Sequence, residues 1–462
     1  MDLIEQLNHI FYPRAIAIVG ASASPGKVGF MCMKSVVEGG FRGRIYPVNP
    51  SLAEVSGLRA FPSILAIPDE VDLAIIVVPA QLTISMVEEC ATRGVKGVVL
   101  IASGFEELGT EIGLDLQAQV RDIASRSGMK IIGPNTPGFI NTKVNLNASF
   151  QYSLNLSKVG NVAIVAQSGG TCIFIAHALT NHNVGISKAM GLGNRCNLDF
   201  DEVVTYLGED EETKVIVIYI EGLEQPQRLM SVARQVAKRK PIIAYKGGRG
   251  EGMDRATSSH TGALAGKYEF YKAAFTQAGI IPVDSITELV DITKALVFQP
   301  PSNGNRVAIF SFQAGPGIIM ADKCRELGLR LAELSPATTQ RIRQMASSLD
   351  AVNNPVDLAW VSWEFNTCRE MLKVVLADNN VDAVTISTCY YPTNMELMRA
   401  FSGISKSYKK PITMCLDSPI GVASAELNAL DESHIPTYPL PERAVTGLAG
   451  LIRYGEILKA VG

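Results

Sequence analysis

The sequence predicts an α/β protein of three successive doubly wound domains, each a mostly parallel sheet with helices on its faces. Three observations carry that expectation. Val- and Ile-rich runs of about five to nine residues recur along the chain; each is followed by a Gly or Pro turn; and the stretches between them are long enough for the crossover helices that parallel strands require. A length of 462 residues agrees, because it exceeds one ordinary core and corresponds to roughly three domains at about 150 residues each.

The first series of strands reads Ala15 to Val19, Arg44 to Val48, Leu73 to Val78, Gly97 to Ile101 and Lys130 to Ile132. The second reads Asn161 to Ala166, Ile186 to Met190, Lys214 to Ile220, Pro241 to Tyr245 and Gly279 to Val283. Between them the polar, Asn-rich stretch Thr142 to Gly160 reads as a join. A sharper break follows at Gln299-Pro300-Pro301-Ser302-Asn303-Gly304-Asn305, where two prolines and turn-formers leave no room for a continued helix. The third series begins with Arg306 to Phe312 and continues through Ala383 to Thr388 and Pro411 to Leu416. The expected domains are residues 1–142, 150–298 and 305–462.

Composition narrows the function classes. Lys and Arg number 42 against 45 Asp and Glu, with no long basic run, so the charge balance gives no support for nucleic-acid binding. The apolar runs fall well short of the ~20 residues that span a bilayer, so no membrane segment is expected. Met1 to His9 is mixed and acidic, without the basic start and apolar core of a secretory signal, and the chain reads as cytoplasmic. The eight cysteines show no C-x-x-C pair and no clustering with the five histidines, which fits buried thiols in a reducing compartment and predicts no metal site.

Four motifs carry chemistry. After the first strand, Gly20-Ala21-Ser22-Ala23-Ser24-Pro25-Gly26-Lys27-Val28-Gly29 precedes a helix read over Phe30 to Glu38. Glycines there let backbone N–H groups approach a phosphate above a helix start; they also serve a plain tight turn. The string is neither G-x-G-x-x-G nor a P-loop, since five residues separate Gly20 from Gly26 instead of four and Val28 stands where a magnesium-binding hydroxyl would be. A nucleotide pyrophosphate is therefore favoured over ATP chemistry. The strand-end turns at Val48-Asn49-Pro50, Val78-Pro79-Ala80, Ser103-Gly104-Phe105 and Gly133 to Gly138 would form the rim of that ligand site, because open α/β sheets bind ligands along this edge.

His260 sits among small residues in Thr257-Ser258-Ser259-His260-Thr261-Gly262-Ala263-Leu264-Ala265-Gly266. Small neighbours leave room for an adduct on the ring; a loop histidine making one backbone hydrogen bond is the alternative. Glu221 directly follows the strand ending at Ile220, where a carboxylate could fix the imidazole tautomer. Gln167-Ser168-Gly169-Gly170 follows another strand and opens a helical stretch near Thr171 to Asn181, offering free N–H groups to a phosphate or serving as an ordinary helix start.

With His260 in S-H-T-G-A-L-A-G, the G-A-S-x-x-P-G-K-x-G loop and the G-P-N-T-P-G turn, the chain resembles the α subunits of nucleoside-diphosphate-forming acyl-CoA synthetases, relatives of succinyl-CoA synthetase. The resemblance covers nearly the whole chain. It implies a Rossmann-like CoA-binding domain followed by two flavodoxin-like ligase domains, and the reversible conversion of acyl-CoA, phosphate and ADP to the free acid, CoA and ATP through an acyl phosphate and a phosphohistidine. By motif it implies coenzyme A held by Gly20, Ser22, Lys27, Gly29, Asn49, Pro50, Val78, Pro79, Ser103 and Asn135. His260 becomes the phosphate carrier, Glu221 its partner, and Ser168, Gly169 and Gly170 a helix-start cradle. A second helix start that faces the first in the family would be Gln313-Ala314-Gly315-Pro316-Gly317, with Gly315 and Gly317 as phosphate contacts.

One departure stands out from the family's usual N-S-G-G-P-G run. Ser311-Phe312-Gln313-Ala314 replaces its first half, with Ala restricting the backbone and Phe312 adding bulk beside the anion, whereas the later Asn354-Pro355-Val356-Asp357-Leu358 string agrees. Nothing within the chain reads as the ATP-grasp module that supplies the nucleotide site in this family. A separate ATP-grasp β subunit is implied, bringing magnesium with ADP or ATP, typically in an α2β2 heterotetramer; alone, the chain should bind CoA but make little or no ATP. Two rival readings are a non-catalytic CoA-binding regulator or scaffold, against which His260 with Glu221 argues, and an NAD-dependent dehydrogenase. The missing G-x-G-x-x-G and the lack of an acid after the second strand argue against the latter.

Overall fold

The β-branched runs become strands buried on both faces, as parallel sheets demand. In the computed structural model Ala15–Val19 is buried at every position and sits inside a five-stranded parallel sheet ordered Arg44–Val48, Ala15–Val19, Leu73–Ile76, Gly97–Leu100, Lys130–Ile132. The structure describes residues 2–249, 268–346, 352–390, 401, 403–404, 407–419 and 421–461. By its contacts the chain divides into two units, Met1–Val283 and Asp284–Gly462.

Two strands of the first sheet stop short of the expected ends. Leu73–Ile76 releases Val77 and Val78 before Pro79 starts the helix Ala80–Arg93, and Gly97–Leu100 releases Ile101. The helix expected from Phe30 begins at Val28 and runs to Gly39, because Lys27 in extended conformation already serves as its N-cap residue.

The second sheet has seven strands, ordered Ile280–Val283, Ile242–Lys246, Val215–Ile220, Val159–Ala166, Ile186–Gly191, Gly138–Asn141, Leu146–Ser149. The last two run antiparallel, so the stretch read as a join is instead an antiparallel extension of this sheet, and Gly138–Asn141 lies in it although it falls within residues 1–142. The asparagines that made the stretch look like a linker are structural. Buried Asn147 donates from Nδ2 to the Gln151 carbonyl (3.1 Å), and Asn155 donates from Nδ2 to the Ser35 carbonyl (3.1 Å). Phe11 from the first helix, Leu3–Phe11, meets Phe139 edge-on at 5.2 Å and stacks on Tyr206 at 4.9 Å, so the two sheets of this unit share one apolar core.

The second unit carries a parallel sheet ordered Arg330–Leu331, Arg306–Ser311, Ala383–Cys389, Ile412–Asp417, Thr437–Tyr438, with Val356–Asp357 also paired to Arg306–Ser311. The helix Ile286–Phe298 of this unit packs against Pro441–Val461. Its Asp291 is buried and pairs with Arg443 (Nη2 to Oδ1, 2.7 Å), and the Tyr438 hydroxyl donates to the Asp291 carbonyl at 2.8 Å. Among the described residues no helix is long and apolar enough to cross a membrane.

Candidate functional site

The glycine loop is a close approach of backbone to backbone. Gly20 has φ +89° and donates its N–H to the Val48 carbonyl (3.0 Å), while Asn49 Nδ2 donates to the Ala21 carbonyl (2.8 Å), so the turn after the second strand holds the turn after the first. Gly29, in the first turn of Val28–Gly39, has to be glycine because a Cβ there would lie 2.1 Å from the Gly20 carbonyl oxygen. Ser22 is buried and accepts from the Ser24 N–H (3.1 Å); Lys27 and Pro50 are exposed.

Beside this loop a cleft of about 660 Å³ opens at the carboxyl ends of the strands, within the size range of ligand sites. Val78, Pro79, Ser103 and Asn135 line it together with Ser168, Gly169 and Gly170. Residues expected at a cofactor rim and at a phosphate cradle, up to about 90 positions apart in the chain, therefore share one cavity. Three helices begin at its wall, at Val28, Ala80 and Gly169, and their unpaired N–H groups and positive dipole ends make it favourable to anions.

The cradle is shaped by the Gly133 to Gly138 turn. Pro137 packs on the start of Gly169–Asn181 so closely that a Cβ on Gly169 would meet its Cδ at 2.3 Å, whereas Gly170 has open space around it. Ser168 is the N-cap residue, its hydroxyl accepting from the Thr171 N–H. Thr136 donates from Oγ1 to the Gly191 carbonyl (2.5 Å), which fastens the turn to the second sheet.

Glu221 does not line the cleft but stands directly behind it. Its N–H and that of Gly222 donate to Gln167 Oε1 at 2.9 and 3.1 Å, and the Tyr219 hydroxyl donates to Glu221 Oε1 at 3.1 Å. Burial, then the Glu221 carboxylate, raise the Tyr219 phenol above its ordinary value, so it stays a proton donor to that carboxylate. His260 and the motif around it lie outside the described residues. Gly315 and Gly317 open the helix Ala314–Glu326 of the second unit, where Gly315 is exposed and Gly317 packs on Ser311. Phe312, expected to crowd this helix start, is buried in the core edge-on to Phe310, and Gln313 takes the N-cap position with its side chain exposed.

A polar network under the rim escaped the sequence reading. Asn194 lines the cleft, donates to Glu107 Oε2 (2.6 Å) and Gln117 Oε1 (2.9 Å), and accepts from Asn135 Nδ2 (3.3 Å). Glu107 in turn accepts the Gly104 N–H (2.6 Å), so the Ser103 and Asn135 turns are braced by the same side chains. Asn135 is itself left-handed at φ +58°, a conformation Asn tolerates. The signal was present, since Gly191-Leu192-Gly193-Asn194 is another glycine turn at a strand end. Among the described residues no group of three His, Cys, Asp or Glu side chains is placed to hold a metal ion.

Residues 14–142 match the family described as CoA binding domain, and residues 159–296 match the succinyl-CoA ligase like flavodoxin domain. That order of domains, with the anion-favouring cleft in the same unit, defines the class: an acyl-CoA ligase subunit. Full-length relatives narrow it. The chain is 39% identical over 458 residues to the acetate–CoA ligase (ADP-forming) II subunit alpha of Pyrococcus furiosus, covering 97% of this chain and 98% of that one. It is 34% identical to the subunit alpha of ligase I from the same organism, with the same coverage. The structure of the dinucleotide-forming acetyl-coenzyme A synthetase 1 of Candidatus Korarchaeum cryptofilum, in complex with phosphate and ADP, superposes with a TM-score of 0.90 at 32% identity over 98% of each chain. The chain belongs to the family of ADP-forming acyl-CoA ligase α subunits. It spans only 64% of the acetate–CoA ligase (ADP-forming) I of Archaeoglobus fulgidus, to which it is 38% identical.

Proposed function

We propose that this chain catalyses the acyl-transfer half of the ligase reaction in the cleft and carries the phosphoryl group away on His260. The observation that supports it is the meeting of the expected CoA rim, at Val78, Pro79, Ser103 and Asn135, with the helix start at Ser168, Gly169 and Gly170 in one cavity. The Gly20–Gly29 loop, with Ser22, Lys27, Asn49 and Pro50, would hold the pyrophosphate end of CoA and bring its thioester into the cleft. A phosphate oxygen then attacks the thioester carbonyl, the C–S bond breaks, and CoA leaves as thiolate. Attack of the His260 imidazole on phosphorus breaks the P–O bond to the acyl group, releases the carboxylate and leaves phosphohistidine, with Glu221 accepting from the ring N–H.

Positioning and charge neutralisation are what such phosphoryl transfer needs, and three helix starts supply both. The nucleotide half belongs to a partner with an ATP-grasp site, where magnesium arrives with ADP, in an α2β2 assembly. Acetate is the acid named for relatives at 39% and 38% identity, and a small carboxylate is the substrate proposed here.

The test is to incubate the chain with its partner, radiolabelled ATP and magnesium, and to look for an acid-labile, alkali-stable phosphoprotein. Label on this chain that is absent from His260→Ala is the expected result. No label on the wild type with an active partner would leave a CoA-binding regulator as the function.

A further inference from the structure

The start of Gly169–Asn181 has one buried donor with nothing to bond. Gln167 borders the cleft and is 2% exposed, and its amide nitrogen Nε2 has no hydrogen-bond partner. Its other end is fully engaged, because Oε1 accepts from the N–H groups of both Glu221 and Gly222. Those two donors fix the amide orientation: turned over, the NH2 group would face two N–H groups. The backbone is tied as well, the Gln167 N–H donating to the Tyr219 carbonyl at 3.0 Å. A rigidly held, buried, unsatisfied donor is costly to a fold, so an acceptor that arrives with a ligand accounts for it better than chance does.

We propose that Gln167 Nε2 donates to an anionic oxygen of the phosphoryl group at this helix start, and that Oε1 couples the filled cleft to the strand end carrying Glu221. This rests on the ligase reading above and adds to it a binding residue that also positions Glu221. The ligand class is a tetrahedral oxyanion, as free phosphate or as the phosphoryl end of an acyl phosphate. Glu221 is thereby held in register with the occupied site by the same side chain that senses occupancy.

The experiment measures inorganic phosphate binding by calorimetry to the chain in complex with its partner, for wild type, Q167M and Q167E. Q167E keeps an oxygen for the Glu221 and Gly222 N–H groups and replaces only the donor; should Q167M fold poorly, Q167E carries the comparison. Loss of one hydrogen bond to a charged group predicts phosphate affinity weaker by roughly ten- to a hundredfold in Q167M, and by more in Q167E at neutral pH, with CoA affinity retained. Because a protonated Glu is again a donor, the Q167E deficit relative to wild type should shrink as pH falls from 8 to 5, which a purely structural role would not produce. Wild-type phosphate affinity in both variants overturns the proposal while leaving the ligase reading intact. A wild type that binds CoA, yet neither binds phosphate nor accepts a phosphoryl label, overturns both.

Discussion

Replacing Gly29 with Ala sets two effects of opposite sign against each other. Ala is the better helix former by about 1 kcal/mol, and at an unconstrained position in Val28–Gly39 the substitution would stabilise the fold. Here the new Cβ would stand 2.1 Å from the Gly20 carbonyl oxygen, and since ordinary contacts begin above 3.0 Å, one of the two must retreat by roughly 1 Å. The obstacle is backbone, with no rotamer to relieve it, and Gly20 is itself held by Val48 and packed beside Val77 and Val78. Overpacking of this kind costs about 1–3 kcal/mol, so the clash outweighs the propensity gain. The displaced turn is the one expected to bind the pyrophosphate, and losing one charge-assisted hydrogen bond there weakens CoA roughly ten- to a hundredfold. Calorimetric titration with CoA and a thermal unfolding curve measure both consequences. Wild-type CoA affinity together with an unchanged or raised midpoint would refute the close-approach account of this loop.

Two further expectations concern the fold around the site. Burial works to raise the Asp72 carboxyl, but the Arg14 N–H, the Arg14 guanidinium and the Ala15 N–H outweigh it and hold the group below its ordinary value. That stabilisation is present above the unfolded carboxylate value near 3.9 and is lost as pH falls through the lower folded value. Asp72→Asn should therefore lower stability by about 1–2 kcal/mol at pH 7, with the gap to wild type closing in denaturant titrations taken below about pH 4. Seven of the eight free cysteines are buried, and burial pushes thiols such as Cys32, Cys90 and Cys172 up to about 12, which keeps them protonated and shielded. Only Cys389 should react quickly with a thiol reagent in the native protein, and Cys389→Ser should remove that fast phase; a second fast thiol would contradict the packing described.

Much of the architecture was legible because its signals are local. A β-branched run such as Val215–Ile220 or Ala15–Val19 announces a buried strand by itself, and Gly20, Asn49, Pro79, Ser103 and Asn135 mark turns at successive strand ends, where this class of sheet binds its ligands. The His260 motif gave the family from the same kind of short-range pattern. What the sequence could not rank was alternatives that depend on distant partners. Asn147 and Asn155 looked like linker polarity because their hydrogen-bond acceptors, the Gln151 and Ser35 carbonyls, are contacts made only after folding.

No local pattern announces what Ile286–Phe298 packs on; the Asp291–Arg443 pair and the Tyr438 hydroxyl, about 150 residues away, decide it. Phe312 read as bulk at an anion site, and burial against Phe310 turned it into core. Gln167 shows the limit most plainly. Its amide is ordinary as a letter in Gln-Ser-Gly-Gly, and becomes informative only when its oxygen is found occupied by Glu221 and Gly222 and its nitrogen is found buried without an acceptor. The sequence by itself determined the strands, the turns and the family, since these rest on residue type and spacing. The tertiary structure alone decided which turns share a cleft and which buried polar groups lack a partner, since both depend on contacts between residues far apart in the chain.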